Sequence, residues 1–231
     1  AGIPATGEST SDDLSLVDRL VGSIPSDVPD DRRATIEAFA STYVRRIPEA
    51  DIPDLPVPQL YAEITDLLRF IDERGLRNSV VRAFQPTLEV CGYSTVGTVV
   101  QVVVDDMPFL VDSIANVVSR SGVGVERHLH PLIGTTRDKS GALVSVASAR
   151  SSTQTESVQH FELDRILTDE EADELVDGIN GVLRDVVVSV RDFDAMRGAV
   201  NEMIGAAKGS VARYGYEDIQ ESVDFLEWLL D

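Results

Sequence analysis

Three stretches early in the chain carry apolar residues at the spacing of amphipathic helices. In SDDLSLVDRLVGSI, Leu14, Val17, Leu20 and Val21 share one stripe, and Ser11 is placed to cap the helix. In DRRATIEAFASTYVRRI the stripe is Ile36, Phe39, Ala40, Tyr43, Val44 and Ile47. In QLYAEITDLLRFIDERG it is Leu60, Ile64, Leu67, Leu68 and Ile71, and Gly75 is a natural stop. Four prolines between residues 48 and 58 predict an extended connector between the second and third helices. The first ten residues read as a loose arm.

The pattern changes near residue 79. TVVQVVVDD is β-branched and apolar on both faces, with Val100, Val102 and Val104 opposite Val99, Gln101 and Val103. That pattern predicts a central strand. Helical spacing follows over 107–121, through Met107, Leu110, Val111, Ile114, Val117 and Val118, and ends at Gly122. Three further strands are expected: VGVERHLHPLIGTTRD, then ALVSVASAR after a KSG turn, then ESVQHFELDRI. TDEE at 168–171 has the form of a capping box and opens a helix with Leu175, Val176, Ile179, Val182 and Leu183 on one side. The segment 186–203 is ambiguous at Val186–Val190. The stripe Val186, Val190, Phe193, Met196, Val200 and Met203 favours helix over strand. A linker and a last helix, IQESVDFLEWLL, close the chain, and an apolar helix at the last residues reads as a piece cut from something longer.

Strand, helix, strand, hairpin, strand and helix in that order predict an α+β fold. It would hold a helical layer at 1–78, an ACT-like or ferredoxin-like sandwich at 79–209 with helices on one face of its sheet, and a linker with the start of a further helix at 210–231. The strand–helix–strand start implies a crossover to a parallel neighbour.

Charge narrows the partners. Forty acidic residues against twenty basic ones give a net charge of -20. Such a surface repels phosphate backbones and anionic lipids, so nucleic acid and membranes are disfavoured. The single cysteine, Cys91, leaves no internal disulfide or cysteine zinc site, makes cytoplasmic location the default, and reads as a small buried hydrophobe. GVGVER follows a helix and enters a strand, the reverse of a dinucleotide-binding turn. No nucleophile–base spacing stands out.

Two places hold candidate chemistry. His128 and His130 fall on one face of a strand and, with His160, would suit a three-histidine metal site; against this stands a pair of half-exposed sheet residues. In VVVDDMPFLVDS, Asp106 is placed to cap the helix with Met107 and Pro108 in its first turn. That leaves Asp105 unexplained, and the free N–H groups of the joint could hold a small polar ligand.

DDMPFLVDS (105–113), FQPT (84–87), His130-Pro131 and SVDFLEWLLD (222–231) together resemble the N-terminal region of the large NAD-specific glutamate dehydrogenases of bacteria. The nonapeptide is the most specific of these; FQP stands where that family usually has FNP. The resemblance covers roughly residues 80–231. It implies a parent enzyme that converts glutamate and NAD to 2-oxoglutarate, ammonium and NADH, with the catalytic domain and NAD site further along the chain. It implies an ACT-like, non-catalytic segment that binds an amino-acid effector or serves a homo-oligomer. It also implies an effector position at the loop from first strand to first helix: Asp105, Asp106, Met107 and Pro108.

Overall fold

The computed structural model describes residues 15–48, 56–210 and 216–230. The expected arm, Ser11 and Leu14, and most of the proline-rich connector lie outside these residues. The chain divides into two units, one up to Val182 and one from Leu183 onward.

In the first unit, α1 (Leu16–Gly22) is capped by Ser15, which exchanges hydrogen bonds with Asp18 in a capping box. Its buried residues are Leu16 and Leu20. α2 (Asp30–Val44) and α3 (Val57–Glu73) bury the stripes read from the sequence. Gly75 does stop the third helix, with a φ of +56° that suits glycine. These helices share one core with Val80, Val103, Leu129, Ile133, Val146 and Val158 of the sheet, so the helical layer lies over one sheet face.

The sheet has six strands: β1 (Ser79–Phe84), β2 (Val99–Asp105), β3 (Val125–Leu129), β4 (Leu132–Arg137), β5 (Leu143–Ser148) and β6 (Thr155–Leu163). A short α4 (Leu88–Cys91) follows β1. All pairings are antiparallel, in the order β1-β2-β6-β4-β5, with β3 also on β6. β6 is the hub. One edge pairs with all of β2; the other takes β3 at one end and β4 at the other.

This corrects two expectations. VGVERHLHPLIGTTRD is not one strand, because Pro131 has no N–H to donate and separates β3 from β4. β2 and β3, joined through α5 (Leu110–Arg120), do run parallel, but they are not neighbours. β6 lies between them and is antiparallel to both, which makes this a split βαβ unit. β1, which the pattern did not reveal, covers the far edge of β2.

β2 is buried on both faces, as its composition requires. The second face carries Val100, Val102, Val104 and Phe161. The buried stripes of α5 (Leu110, Ile114, Val118) and of the start of α6 (Asp169–Gly209; Leu175, Ile179) are those of the ACT-like unit's own helices. α5 and α6 meet at Gly178, where an added Cβ would come within 3.1 Å of Val117. Thr168 and Glu171 form the capping box read from TDEE.

In the second unit, residues 183–209 of α6 are helical throughout, which resolves the ambiguous Val186–Val190. Ile204 with Val200 and Ala207 packs against Ile219, Val223 and Leu226 of α7 (Tyr216–Trp228). Phe193, Met196 and Met203, which lie on the helical stripe read from the sequence, are exposed. Among the described residues, no helix is long and apolar enough to cross a membrane.

Candidate functional site

The joint between β2 and α5 differs from its sequence reading. Asp106 does not cap the helix. The N-cap position is Phe109, in left-handed backbone (φ +72°), and no side chain caps α5. Met107 and Pro108 precede the helix, so Pro108 turns the chain into α5 and is not in its first turn. The Asp106 N–H instead donates to the Thr155 carbonyl (2.9 Å), closing the end of the β2–β6 ladder. Asp105, Asp106 and Pro108 are exposed, and Met107 is half-buried.

Asp105 has a partner that the sequence did not suggest. Arg74, the residue after α3, is buried and donates to Asp105 Oδ1 (2.8 Å) and to the Asn78 carbonyl (3.1 Å). It also lies 3.1 Å from Glu156 Oε1. Arg137 grips the same Glu156 through Nε (2.7 Å) and reaches back to the Ile71 carbonyl (2.7 Å). Burial alone would raise the Glu156 carboxyl. Its bonds from Arg137 and Thr135 and the two nearby guanidinium charges outweigh that and hold it below the usual carboxylate range. The exposed joint is thus tied through buried charges to the end of α3.

A second buried network lies further along the same face. Tyr43 Oη donates to Glu63, and Arg127 Nη2 donates to both Glu63 oxygens (2.8 Å each). Arg127 Nε donates to Glu162 Oε1 (2.8 Å). His160 Nε2 lies 3.4 Å from Glu162, and His160 Nδ1 lies 3.1 Å from Gln101 Nε2. Gln101 Oε1 accepts from Arg82 Nε (2.8 Å), so Gln101 Nε2 must donate, and the His160 proton sits on Nε2 facing Glu162. Arg82 continues to Asp66 (2.6 Å), between the rings of Phe70 and Phe84. One polar chain therefore joins α2, α3, β1, β2, β3 and β6. Beside Arg127 it borders a cleft of about 350 Å³ lined also by Leu60, Tyr93, Thr95, Val96 and Glu126.

Glu63, His160 and Glu162 offer three ligand atoms close enough for a metal ion. The Arg127 guanidinium already supplies the cation there, bonded to both carboxylates. The three histidines do not converge. His128 pairs with Phe161, so it shares that residue's face, while His160 next along β6 points to the opposite one. His128 stacks on Phe161 (3.9 Å between centroids, 7° between planes), and His130 Nε2 lies 2.8 Å from Ser157 Oγ. The three-histidine metal site is ruled out by this geometry. Cys91, expected as a buried hydrophobe, is half-buried at the end of α4.

Burial, aided by the neighbouring His128 and Arg46, pushes the His130 imidazole down to about 4. A folded-state value below the unfolded 6.5 means that the folded chain binds this proton more weakly. The associated stability is complete above about pH 6.5 and is lost as the pH falls towards about 4. Urea midpoints measured across this range should fall for the wild-type chain and fall less for His130→Gln. Equal slopes would refute the assignment.

In the GVGVER segment, a Cβ on Gly124 would lie 2.5 Å from the Asp164 carboxylate. That space is filled by an acid, which would repel a pyrophosphate placed there.

Residues 39–179 match the family model described as glutamate dehydrogenase, ACT1 domain. An NAD-specific glutamate dehydrogenase of Halomonas elongata is 29% identical over 221 residues, 94% of this chain and 14% of that protein. The NAD-specific glutamate dehydrogenase of Pseudomonas aeruginosa is 30% identical over 154 residues, 65% of this chain and 10% of that protein. The chain thus spans only a small part of the length of these relatives. The matched region runs from α2 through the split βαβ unit into α6, and on that match the chain belongs to the glutamate dehydrogenase ACT1-domain family.

Proposed function

We propose that this chain is the N-terminal, non-catalytic segment of a large cytoplasmic NAD-dependent glutamate dehydrogenase, and that it regulates or assembles the enzyme. The parent would oxidise glutamate with NAD to 2-oxoglutarate and ammonium, with NAD and substrate held by domains outside this chain. Family membership over 39–179 supports the identity of the segment. The observation that carries the regulatory role is the link Asp105–Arg74–Glu156, which ties an exposed loop to buried charges beneath the helical layer.

The effector would be an amino acid held at Asp105, Asp106, Met107 and Pro108. Its ammonium group would meet the two aspartates and its carboxylate the uncapped N–H groups of α5. An ammonium on Asp105 competes with Arg74 for that carboxylate. Binding would therefore change how firmly Arg74 is held, the differential interaction that a population shift requires. Calorimetric titration with aspartate, glutamate and other amino acids should show binding that Asp105→Asn weakens about tenfold, the loss of one charge-assisted contact. Absence of heat with every amino acid at millimolar concentration would sink the sensing role.

A structural role within a homo-oligomer has its own support. Leu88, Val90 and Val96 are large apolar residues left exposed within nine positions of one another, around α4. Self-association in sedimentation velocity that is lost in Val90→Ser would favour it; a monomer at all concentrations would oppose it.

A further inference from the structure

A cleft of about 600 Å³ lies between the end of α2 and the turn after β5. Arg45 and Arg46 enter it from one side and Arg150 from the other, with Thr42 and Ser148 beside them and Leu132 also in the wall. No carboxylate lines it. Among the described residues, none of the three arginines is in an ion pair, although the chain has forty acidic residues to twenty basic ones. Among the described residues, their one side-chain hydrogen bond is a long one, from Arg45 Nη2 to Thr42 Oγ1 (3.4 Å).

The dipole of α2 accounts for part of this, since cations favour a helix C-terminus. It does not account for Arg150, which comes from a separate turn more than a hundred residues away and adds a third like charge. All three arginines that line this cleft are exposed, so solvent screens their mutual repulsion, and an anion between them would relieve it further.

We infer that this cleft is a binding site for a small phosphorylated anion, held by Arg45, Arg46 and Arg150. Guanidinium forks match phosphate oxygens two at a time, and the hydroxyls of Thr42 and Ser148 add donors. An amino acid does not fit: its ammonium would find no carboxylate in the lining. An extended polyanion does not fit either, because the net charge of -20 over the rest of the chain opposes a nucleic acid or an anionic membrane. A compact anion presents fewer charges to that field than an extended polyanion does. The site is thus distinct, in place and in ligand chemistry, from the amino-acid position at the β2–α5 joint.

The test is calorimetry of the 231-residue chain with inorganic pyrophosphate at low salt. Binding is expected, with the affinity reduced about tenfold or more in Arg46→Gln and in Arg150→Gln, the loss of one charge-assisted contact each. Arg191→Gln, which removes an exposed arginine paired with Asp192, should bind as the wild type does. Circular dichroism should show all three variants folded, as expected for exposed side chains. No binding by the wild-type chain overturns the inference. So does binding that Arg46→Gln and Arg150→Gln leave unchanged, displacement of pyrophosphate by glutamate, or attachment to phosphatidic acid vesicles without affinity for soluble pyrophosphate.

Discussion

Arg127→Ala is expected to destabilise the chain by about 3–5 kcal/mol, the usual cost of removing one partner from a buried ion pair. Arg127 sits between Glu63 and Glu162, and its guanidinium bonds to both. Without it, two carboxylates with little access to solvent face each other across the space it left. The nearest compensating group is His160, which is fully buried. In the wild-type chain, burial would raise the Glu162 carboxyl, but the His160 hydrogen bond and the Arg127 charge more than offset this and hold it low. A depressed carboxylate contributes stability that is present above its unfolded value of 4.5 and is lost as the pH falls through the folded value. The variant reverses part of this. Its carboxylates gain from protonation, so its deficit against the wild type should shrink between pH 7 and pH 4. Urea denaturation at the two pH values measures both effects. A deficit below about 1 kcal/mol would mean that the pair behaves as a surface salt bridge, contrary to its burial. Replacing all three groups together, with Glu63→Gln, Arg127→Met and Glu162→Gln, should recover much of the loss, because no charge is then left unpaired.

Phe161→Ala should cost a similar amount, about 3–5 kcal/mol, for a different reason. Phe161 is fully buried towards the β3 end of β6, on the sheet face opposite the ionic network, with the His128 ring stacked on it. Truncation removes most of the ring's buried area and leaves a cavity that a strand paired on both edges cannot collapse to fill. Phe161→Leu keeps much of the volume and should lose about half as much or less. It breaks no ionic pair, so its deficit in urea should shrink only modestly between pH 7 and pH 5, as the His128 imidazole, held below its ordinary 6.5 by burial, gains access to solvent. A deficit that varied with pH as steeply as that of Arg127→Ala would show that the two sheet faces are electrostatically coupled.

The two variants also mark the limits of the sequence reading. The face of β6 that holds Phe161 also carries Ser157 and Gln159, both buried, so no simple alternation of apolar and polar residues marks it. The opposite face reads Glu156, Val158, His160, Glu162, which in a strand buried on both sides signals buried charge. Gln101 in the middle of an otherwise apolar strand carried the same message. What hid the network was its far side. Glu63 and Asp66 on α3 look like solvated positions in a helical pattern, and nothing local shows that β-strand arginines reach them. The Arg45–Arg46–Arg150 cleft was hidden for the same reason, since its two halves lie far apart in sequence.

Local rules settled the elements whose signals are complete within a few residues. The apolar stripes of α2 and α3, the Thr168–Glu171 cap, the positive-φ stop at Gly75 and the two-sided burial of β2 all follow from spacing and side-chain chemistry. The motif DDMPFLVDS was enough to indicate the family. Only the tertiary structure decided the rest. β6 inserts between β2 and β3 because a strand's partner is chosen by long-range pairing, which leaves no local mark. Phe109 takes the cap position expected of Asp106 because the Asp106 N–H is held by Thr155 at the end of the ladder. Asp105 acquired a role because Arg74, thirty-one positions away, needs carboxylates where its guanidinium is buried. Periodicity shows which residues leave water, but the pairing of buried charges depends on which elements meet, and that is a property of the folded chain alone.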